Sequence, residues 1–307
     1  MTTVDHGLEL DFREIHDTSV QTTASWIDQH SAACLIRQKF HYEYTGPIRD
    51  LDQRLIIVPP ERHGSQRLVT HRLEVSSPTT EVHREIDQFG NLVLRLLIDH
   101  VPDEIDFLAW IVVEHEQNER PIVVDRELFE SPVLRSPTLL TEPDHALHAE
   151  ALNFDADTLD SETLARAINR FVYESMRYEP GSTDIATTAA EAFANRSGVC
   201  QDYAHIMLSL CRICGLPARY VSGHLLGEGA THAWVEVLLQ DEEHPARVRA
   251  LPLDPTHGVE PGVEYVTVAT GRDYADVAPT SGTFISSHQG TLSAHKHAAL
   301  GRPRPMR

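Results

Sequence analysis

The chain has 307 residues, 41% of them hydrophobic and 23% charged, which is the composition of a globular protein long enough for two cores. Its 26 Lys and Arg face 46 Asp and Glu, a formal charge of −20 that repels phosphate backbones and anionic lipid, so neither nucleic acid nor a membrane is an expected partner. With four cysteines, no basic start before an apolar run and no stretch approaching a membrane span, the expectation is a cytoplasmic protein with free thiols.

In chain order, residues 1–32 are polar and read as an N-terminal extension. From Ala33 the pattern changes. Ile36, Phe40, Tyr42 and Tyr44 share one parity, with Arg37, Lys39, His41 and Glu43 on the other, as in a half-buried strand. Apolar runs follow at RLIIVPP, QRLVTHRLEV, NLVLRLLIDHV and DFLAWIVVE, separated by Pro59-Pro60, Ser77-Pro78 and a turn over Asp87–Asn91. Short strands at this spacing predict an antiparallel β-sandwich domain over residues 33–115. Residues 116–155 are acidic and broken by Pro121, Pro132, Pro137 and Pro143, and read as a connector.

The period then lengthens. Leu164, Ile168, Phe171, Val172 and Met176 recur at helical spacing from Ser161 to near Tyr178, before Pro180-Gly181. A second helix fits TTAAEAFANR, and a third, more apolar, fits VCQDYAHIMLSLCRIC up to Gly215 and Pro217. Strands follow at ARYVSGHLL, THAWVEVLL and RVRALPLD. Helices followed by strands predict an α+β domain over residues 156–285, and residues 286–307 read as a flexible tail.

The chemistry concentrates in Asn195–His205. With Ser197 as the expected cap, Cys200 falls in the first turn of the third helix, where unpaired N–H groups and the positive end of the dipole favour a thiolate. Asp202 adds opposing charge and reads as an ordinary first-turn acid. A helix terminus needs a neighbouring base to complete activation. His232 is the candidate, at the start of a strand in which His232, Trp234 and Glu236 face one side. Asp254 ends the next strand, where Pro255 stops the pairing and leaves the carboxylate free to orient an imidazole.

The ordered set G-V-C-Q-D-Y-A-H, T-H-A-W-V-E-V and L-D-P-T-H resembles the transglutaminase-like superfamily. D-Q-F-G-N in the early strands and G-R-D-Y-A-D-V-A-P near residue 275 are similar to the bacterial two-part members, a resemblance covering residues 33–285. It implies a papain-like α+β core with Cys200, His232 and Asp254 as its triad. The implied reaction is amide cleavage or acyl transfer through a thioester on a peptide or protein amide substrate, with no cofactor. Tyr178 is the candidate for a second oxyanion donor beside the Cys200 N–H.

Other features read as structural. Cys211 and Cys214 have metal-ligand spacing but no second pair, which favours burial in an apolar helix over a metal site. His145, His148, His295 and His297 form no metal-binding pattern and read as surface positions. Three functions follow: a cysteine-dependent peptidase or amidase using water, a transglutaminase in which an amine outcompetes water, and a non-catalytic binding module that retains the fold.

Overall fold

The computed structural model describes residues 2–7, 33–116, 120–156, 158–227, 231–241, 244 and 247–301. Residues 8–32 of the expected extension and 302–307 of the expected tail lie outside them. The chain divides into two compact units, one of residues 1–119, 225–231 and 278–307, the other of residues 120–224 and 232–277.

Among its described residues the first unit is all-β. It begins with β1 (Thr2–Gly7), β2 (Ala33–Tyr44), β3 (Ile48–Val58), β4 (Arg62–His63), β5 (Gln66–Val75), β6 (Thr80–Ile86), β7 (Leu92–Val101) and β8 (Glu104–His115). Strand β2 keeps the expected alternation: Ile36, Phe40 and Tyr44 are buried, and Arg37 and Glu43 are exposed. It pairs antiparallel with β8, placing Phe40 opposite the fully buried Phe107. The β6–β7 turn is held by the Asp87 carboxylate, which accepts from the N–H groups of Phe89 and Asn91 at 2.9 Å each, while Gly90 takes φ 86°.

The second unit holds β9 (Ile122–Val124), α1 (Arg126–Glu130), a 3-10 turn (Pro132–Leu134), α2 (His145–Ala151), α3 (Ser161–Ser175), β10 (Arg177–Tyr178), α4 (Ala189–Asn195), β11 (Ser197–Gly198), α5 (Cys200–Ile213), β12 (Ala218–Leu225), β13 (His232–Gln240), β14 (Val248–Leu253), β15 (Tyr265–Gly271) and α6 (Tyr274–Val277). The chain then returns to the first unit as β16 (Thr280–Ile285) and β17 (Gly290–Gly301).

One sheet of the first unit has the order β1-β5-β8-β2-β17, with β4 on β5, and the other has the order β16-β3-β7-β6. Tyr42 Oη and Thr280 Oγ1 lie 2.7 Å apart, and the Tyr44 and Phe284 rings meet edge-on at 5.3 Å, so β2 of one sheet touches β16 of the other. The segment read as a flexible tail departs from that expectation over Gly290–Gly301, which pairs along the whole of β2. Its many Ala and His residues give a weak apolar pattern because its side chains are mostly exposed, so the backbone ladder, not burial, makes the strand.

The second unit is the α+β core, with a sheet of order β15-β12-β13-β14-β9. Helix α3 starts where the Asp160 carboxylate accepts from Thr163 N at 2.9 Å, and it buries Leu164, Ala165, Ile168 and Val172. It stops at Ser175, short of the expected Tyr178, because Arg177 and Tyr178 pair in parallel with Ser197 and Gly198. Helix α5 is buried from Gln201 to Arg212 and lies against β13, flanked by α2, α3 and α4. Part of the expected connector belongs to this core, since β9 pairs with the outer edge of β14. Among the described residues no helix is long and apolar enough to cross a membrane.

Removal of residues 290–301 should expose the edge of β2, lowering the unfolding temperature and promoting aggregation, as read by calorimetry and light scattering. Phe107→Ala should destabilise the same unit by about 3–5 kcal/mol in urea titration. A truncated protein with unchanged melting would show that β17 adds nothing to the sheet.

Candidate active site

The site starts at the reversal between α4 and α5. Arg196 takes the left-handed conformation, φ 53°, which ends α4, and its guanidinium lies 3.7 Å from the centroid of the Phe193 ring. Ser197 and Gly198 then pair with β10, so the N-cap of α5 is Val199 in place of the expected Ser197. Valine has no side-chain acceptor. The Asp202 carboxylate instead bends back, accepting from Val199 N at 2.7 Å and Thr183 Oγ1 at 2.6 Å. A Cβ on Gly198 would stand 2.5 Å from Asp202 Oδ2, so this close approach needs glycine. Burial, more than any other cause, pushes the Asp202 carboxyl above its usual range. The expected first-turn acid therefore fastens the segment leading into Cys200.

Cys200 is the first residue of α5 and is partly exposed. Its thiol is close enough to His232, the first residue of β13, to help raise the imidazole's pKa. His232 Nε2 lies 2.8 Å from Asp254 Oδ2, which leaves Nδ1 as the ring nitrogen for the thiol. His232 and Asp254 are both buried, and the imidazole stacks at 6.1 Å on Trp234. The structure thus brings Cys200, His232 and Asp254 together, with the imidazole bonded to the carboxylate and near the thiol.

Asp254 follows the last residue of β14, and its turn closes on itself. Asp254 N donates to Val259 O at 2.8 Å, and Gly258 N donates back to Asp254 O at 2.8 Å. Oδ1 accepts from Thr256 N at 2.8 Å and from His257 N at 3.4 Å. Oδ2 receives His232 Nε2, His257 Nδ1 at 2.7 Å and Tyr265 Oη at 2.8 Å.

Burial alone would raise the Asp254 pKa, but the hydrogen bond and charge of His232, with the bonds from His257 and Tyr265, hold it well below the usual carboxylate range. Burial alone would likewise lower the His232 pKa. Its hydrogen bonds to Asp254 and Cys200, and their charges, outweigh that and hold the imidazolium above its ordinary range. His257 and Tyr265 were not singled out in the sequence. His257 stands inside the quoted L-D-P-T-H, whereas nothing around Tyr265 signals its role.

Tyr178 is half-exposed beside Gly198 in the β10–β11 pair, its ring 6.5 Å from that of Tyr203. Cys211 is fully buried in α5 and Cys214 caps its end; burial raises both thiols. His145, His148, His295 and His297 are exposed. His232, Asp254 and His257 place possible ligand atoms within 4.8 Å of one another and are the set that could hold a divalent ion among the described residues. Their nitrogens sit 2.8 and 2.7 Å from a single oxygen, lengths that fit a shared proton.

Residues 150–245 match the model of the transglutaminase-like superfamily, and residues 34–114 match that of the bacterial transglutaminase-like N-terminal region. The chain carries a transglutaminase-like core behind a bacterial transglutaminase-like N-terminal region. An uncharacterized protein of Mycobacterium leprae is 29% identical over 247 residues, 73% of this chain and 84% of that protein. One from Mycobacterium tuberculosis is 37% identical over 132 residues, 39% of this chain and 41% of that protein. The solved structure of a proposed cysteine protease from Cytophaga hutchinsonii is similar in fold, with a TM-score of 0.68 at 23% identity, covering 91% of this chain and 94% of that one. Within that fold, the helix that begins at Cys200 lies against the strand that begins at His232.

His205 lies deeper in the same helix, its ring 5.3 Å from that of Tyr220 and its Nε2 accepting from Tyr274 N at 3.2 Å, which requires the neutral ring. Burial, aided by the charge of Arg212, pushes its pKa down from 6.5 to about 3. Stability tied to neutral His205 is therefore complete above pH 6.5 and is lost as the pH falls through about 3. Melting temperatures of the wild type should decline over that window more steeply than those of His205→Gln. Parallel curves would show that His205 does not contribute to acid sensitivity.

Proposed function

We propose that the protein is a cysteine-dependent amide-bond enzyme in which Cys200 is the nucleophile, His232 the base and Asp254 the residue that orients it. The observation that carries this reading is the imidazole of His232, bonded to a buried carboxylate and close to the thiol at the start of α5. With Nε2–H committed to Asp254, Nδ1 takes the thiol proton, and the sulfur attacks the carbonyl carbon of an amide. The developing oxyanion finds the N–H of Cys200 at the helix terminus, where Val199 offers no side-chain cap. His232 then gives its proton to the leaving amine, and a thioester remains on Cys200.

Water activated by His232 hydrolyses the thioester, which makes the enzyme a peptidase or amidase acting on a peptide or protein amide. An amine in the place of water would give transglutaminase activity. A binding module without catalysis would have no use for the buried pair, because burying a carboxylate and an imidazole is costly unless they are paired.

At pH 6, iodoacetamide should label Cys200 ahead of the other thiols. Burial pushes Cys34 up to about 12 and raises Cys211 and Cys214 as well, which lowers their thiolate content. His232→Ala should slow labelling of Cys200 by about tenfold or more, because the proton acceptor is gone. Asp254→Asn should reduce turnover by up to about 10⁴-fold, since the imidazole loses its tautomer. Incubation with glutamine-containing peptides, with and without an added amine, separates the two outcomes by product mass. If Cys200 is accessible yet labels no faster than Cys214, and His232→Ala changes nothing, the binding module becomes the better account.

A further inference from the structure

We infer that His257 is a positioning residue, a second imidazole that holds the Asp254 carboxylate in place for His232. The inference rests on the proposed roles of Cys200, His232 and Asp254 and adds to them the support of the carboxylate itself.

Three side-chain donors converge on Asp254 Oδ2, from His232, His257 and Tyr265, at 2.8, 2.7 and 2.8 Å. A carboxylate free to rotate could meet His232 with either oxygen at many angles. With Oδ1 held by backbone N–H groups and Oδ2 by His257 and Tyr265, its plane is set before His232 arrives. This preorganisation keeps the proton on Nε2 of His232 and leaves Nδ1 to face the thiol.

His257 differs from the others in its position. Asp254, His232 and Tyr265 are buried, whereas the His257 side chain is 41% exposed. Its ring lies 5.3 Å from that of His232, and of the three side chains bonded to Oδ2 it is the one that meets solvent. A bulk water admitted there would compete with His232 for Oδ2 and weaken the buried hydrogen bond.

Gly258 helps to aim the ring. It takes φ 69°, and a Cβ there would come within 2.9 Å of the Tyr173 ring. The turn is thus pressed against α3 immediately after His257. The bonds that make the turn use the backbone of Asp254, Thr256, His257, Gly258 and Val259 and the Asp254 Oδ1 atom, not the imidazole of His257. Removing the side chain therefore separates positioning from folding.

The test compares wild type, His257→Ala and His257→Asn, the last of which can place an amide N–H where Nδ1–H stood. Three quantities are read: the rate of Cys200 alkylation by iodoacetamide at pH 6, the rate of acylation by p-nitrophenyl acetate, and the downfield proton resonance of His232 Nε2–H. His257→Ala should slow both reactions by about 10- to 100-fold and broaden or remove the resonance. His257→Asn should return the rates to within about threefold of wild type and restore the signal. The inference is overturned if His257→Ala keeps the rates and the resonance. It is equally overturned if the rates fall only with the melting temperature and His257→Asn restores neither. His232→Ala and Asp254→Asn measured alongside keep the two levels apart. If they too leave Cys200 reactivity unchanged, the catalytic reading itself fails; if they abolish it while His257→Ala does not, only the role of His257 is lost.

Discussion

The interaction on which the core depends is the hydrogen bond between His232 and Asp254, both of them buried. Isolated in a low-dielectric interior, either charged form would cost several kcal/mol. The protein offsets that cost with donors. Asp254 accepts through both oxygens, and each donor comes from an element whose place is set by the sheet or by the turn that closes on Val259. The pair is thus inseparable from the sheet that surrounds it.

Sheet register explains why His232 and Asp254 meet. Strands β13 and β14 are antiparallel with Val235 opposite Leu253, so continuing the ladder by one step sets Trp234 opposite Asp254. Side chains alternate along a strand, and His232 lies two residues from Trp234, so His232, Trp234 and Asp254 share a face. A slip of one residue would send Asp254 to the opposite face and strand the imidazole. On the other side of β13, His232 is opposite Gly223, where a Cβ would stand 2.2 Å from Val266 O and 2.4 Å from the Trp234 ring. That glycine lets Trp234 pack tightly beside the imidazole.

Much of this is legible in the sequence, and the reasons are local. Cys200, His232 and Asp254 each sit at an end of an element, a helix start, a strand start and a strand end, and boundaries leave strong marks: Gly198, Thr231 and Pro255. The alternation in β2 was readable because one face of that strand meets solvent. Strand β13 is buried on both faces, so its alternation says less, and Glu236 inside it is neutralised by Arg219 at 2.6 Å. Strands β1, β6, β9, β15, β16 and β17 are among those the pattern does not announce. β9 is three residues long within a proline-rich stretch, β15 mixes Thr and Gly among its valines, and β17 owes its place to a backbone ladder.

Ser197 was the expected cap because serine is a good one, but the chain used it in a strand pair and left valine at the N-cap. The substitution has a chemical consequence. A side-chain cap at Val199 would accept from the first-turn N–H groups and compete with any oxyanion that forms there. Asp202 supplies the missing anchor from within the helix, bonding to Val199 N and Thr183 and donating its own N–H to Val199 O at 2.9 Å, while the Val199 side chain caps none of the first-turn donors. Its cost is a buried carboxyl two residues from the thiol, whose negative charge opposes a thiolate. The same burial that raises the Asp202 pKa favours its neutral form and so reduces that opposition. Glycine at 198, valine at 199 and aspartate at 202 therefore act together: the first makes room, the second places no side-chain acceptor at the cap, and the third ties down the backbone that leads into Cys200.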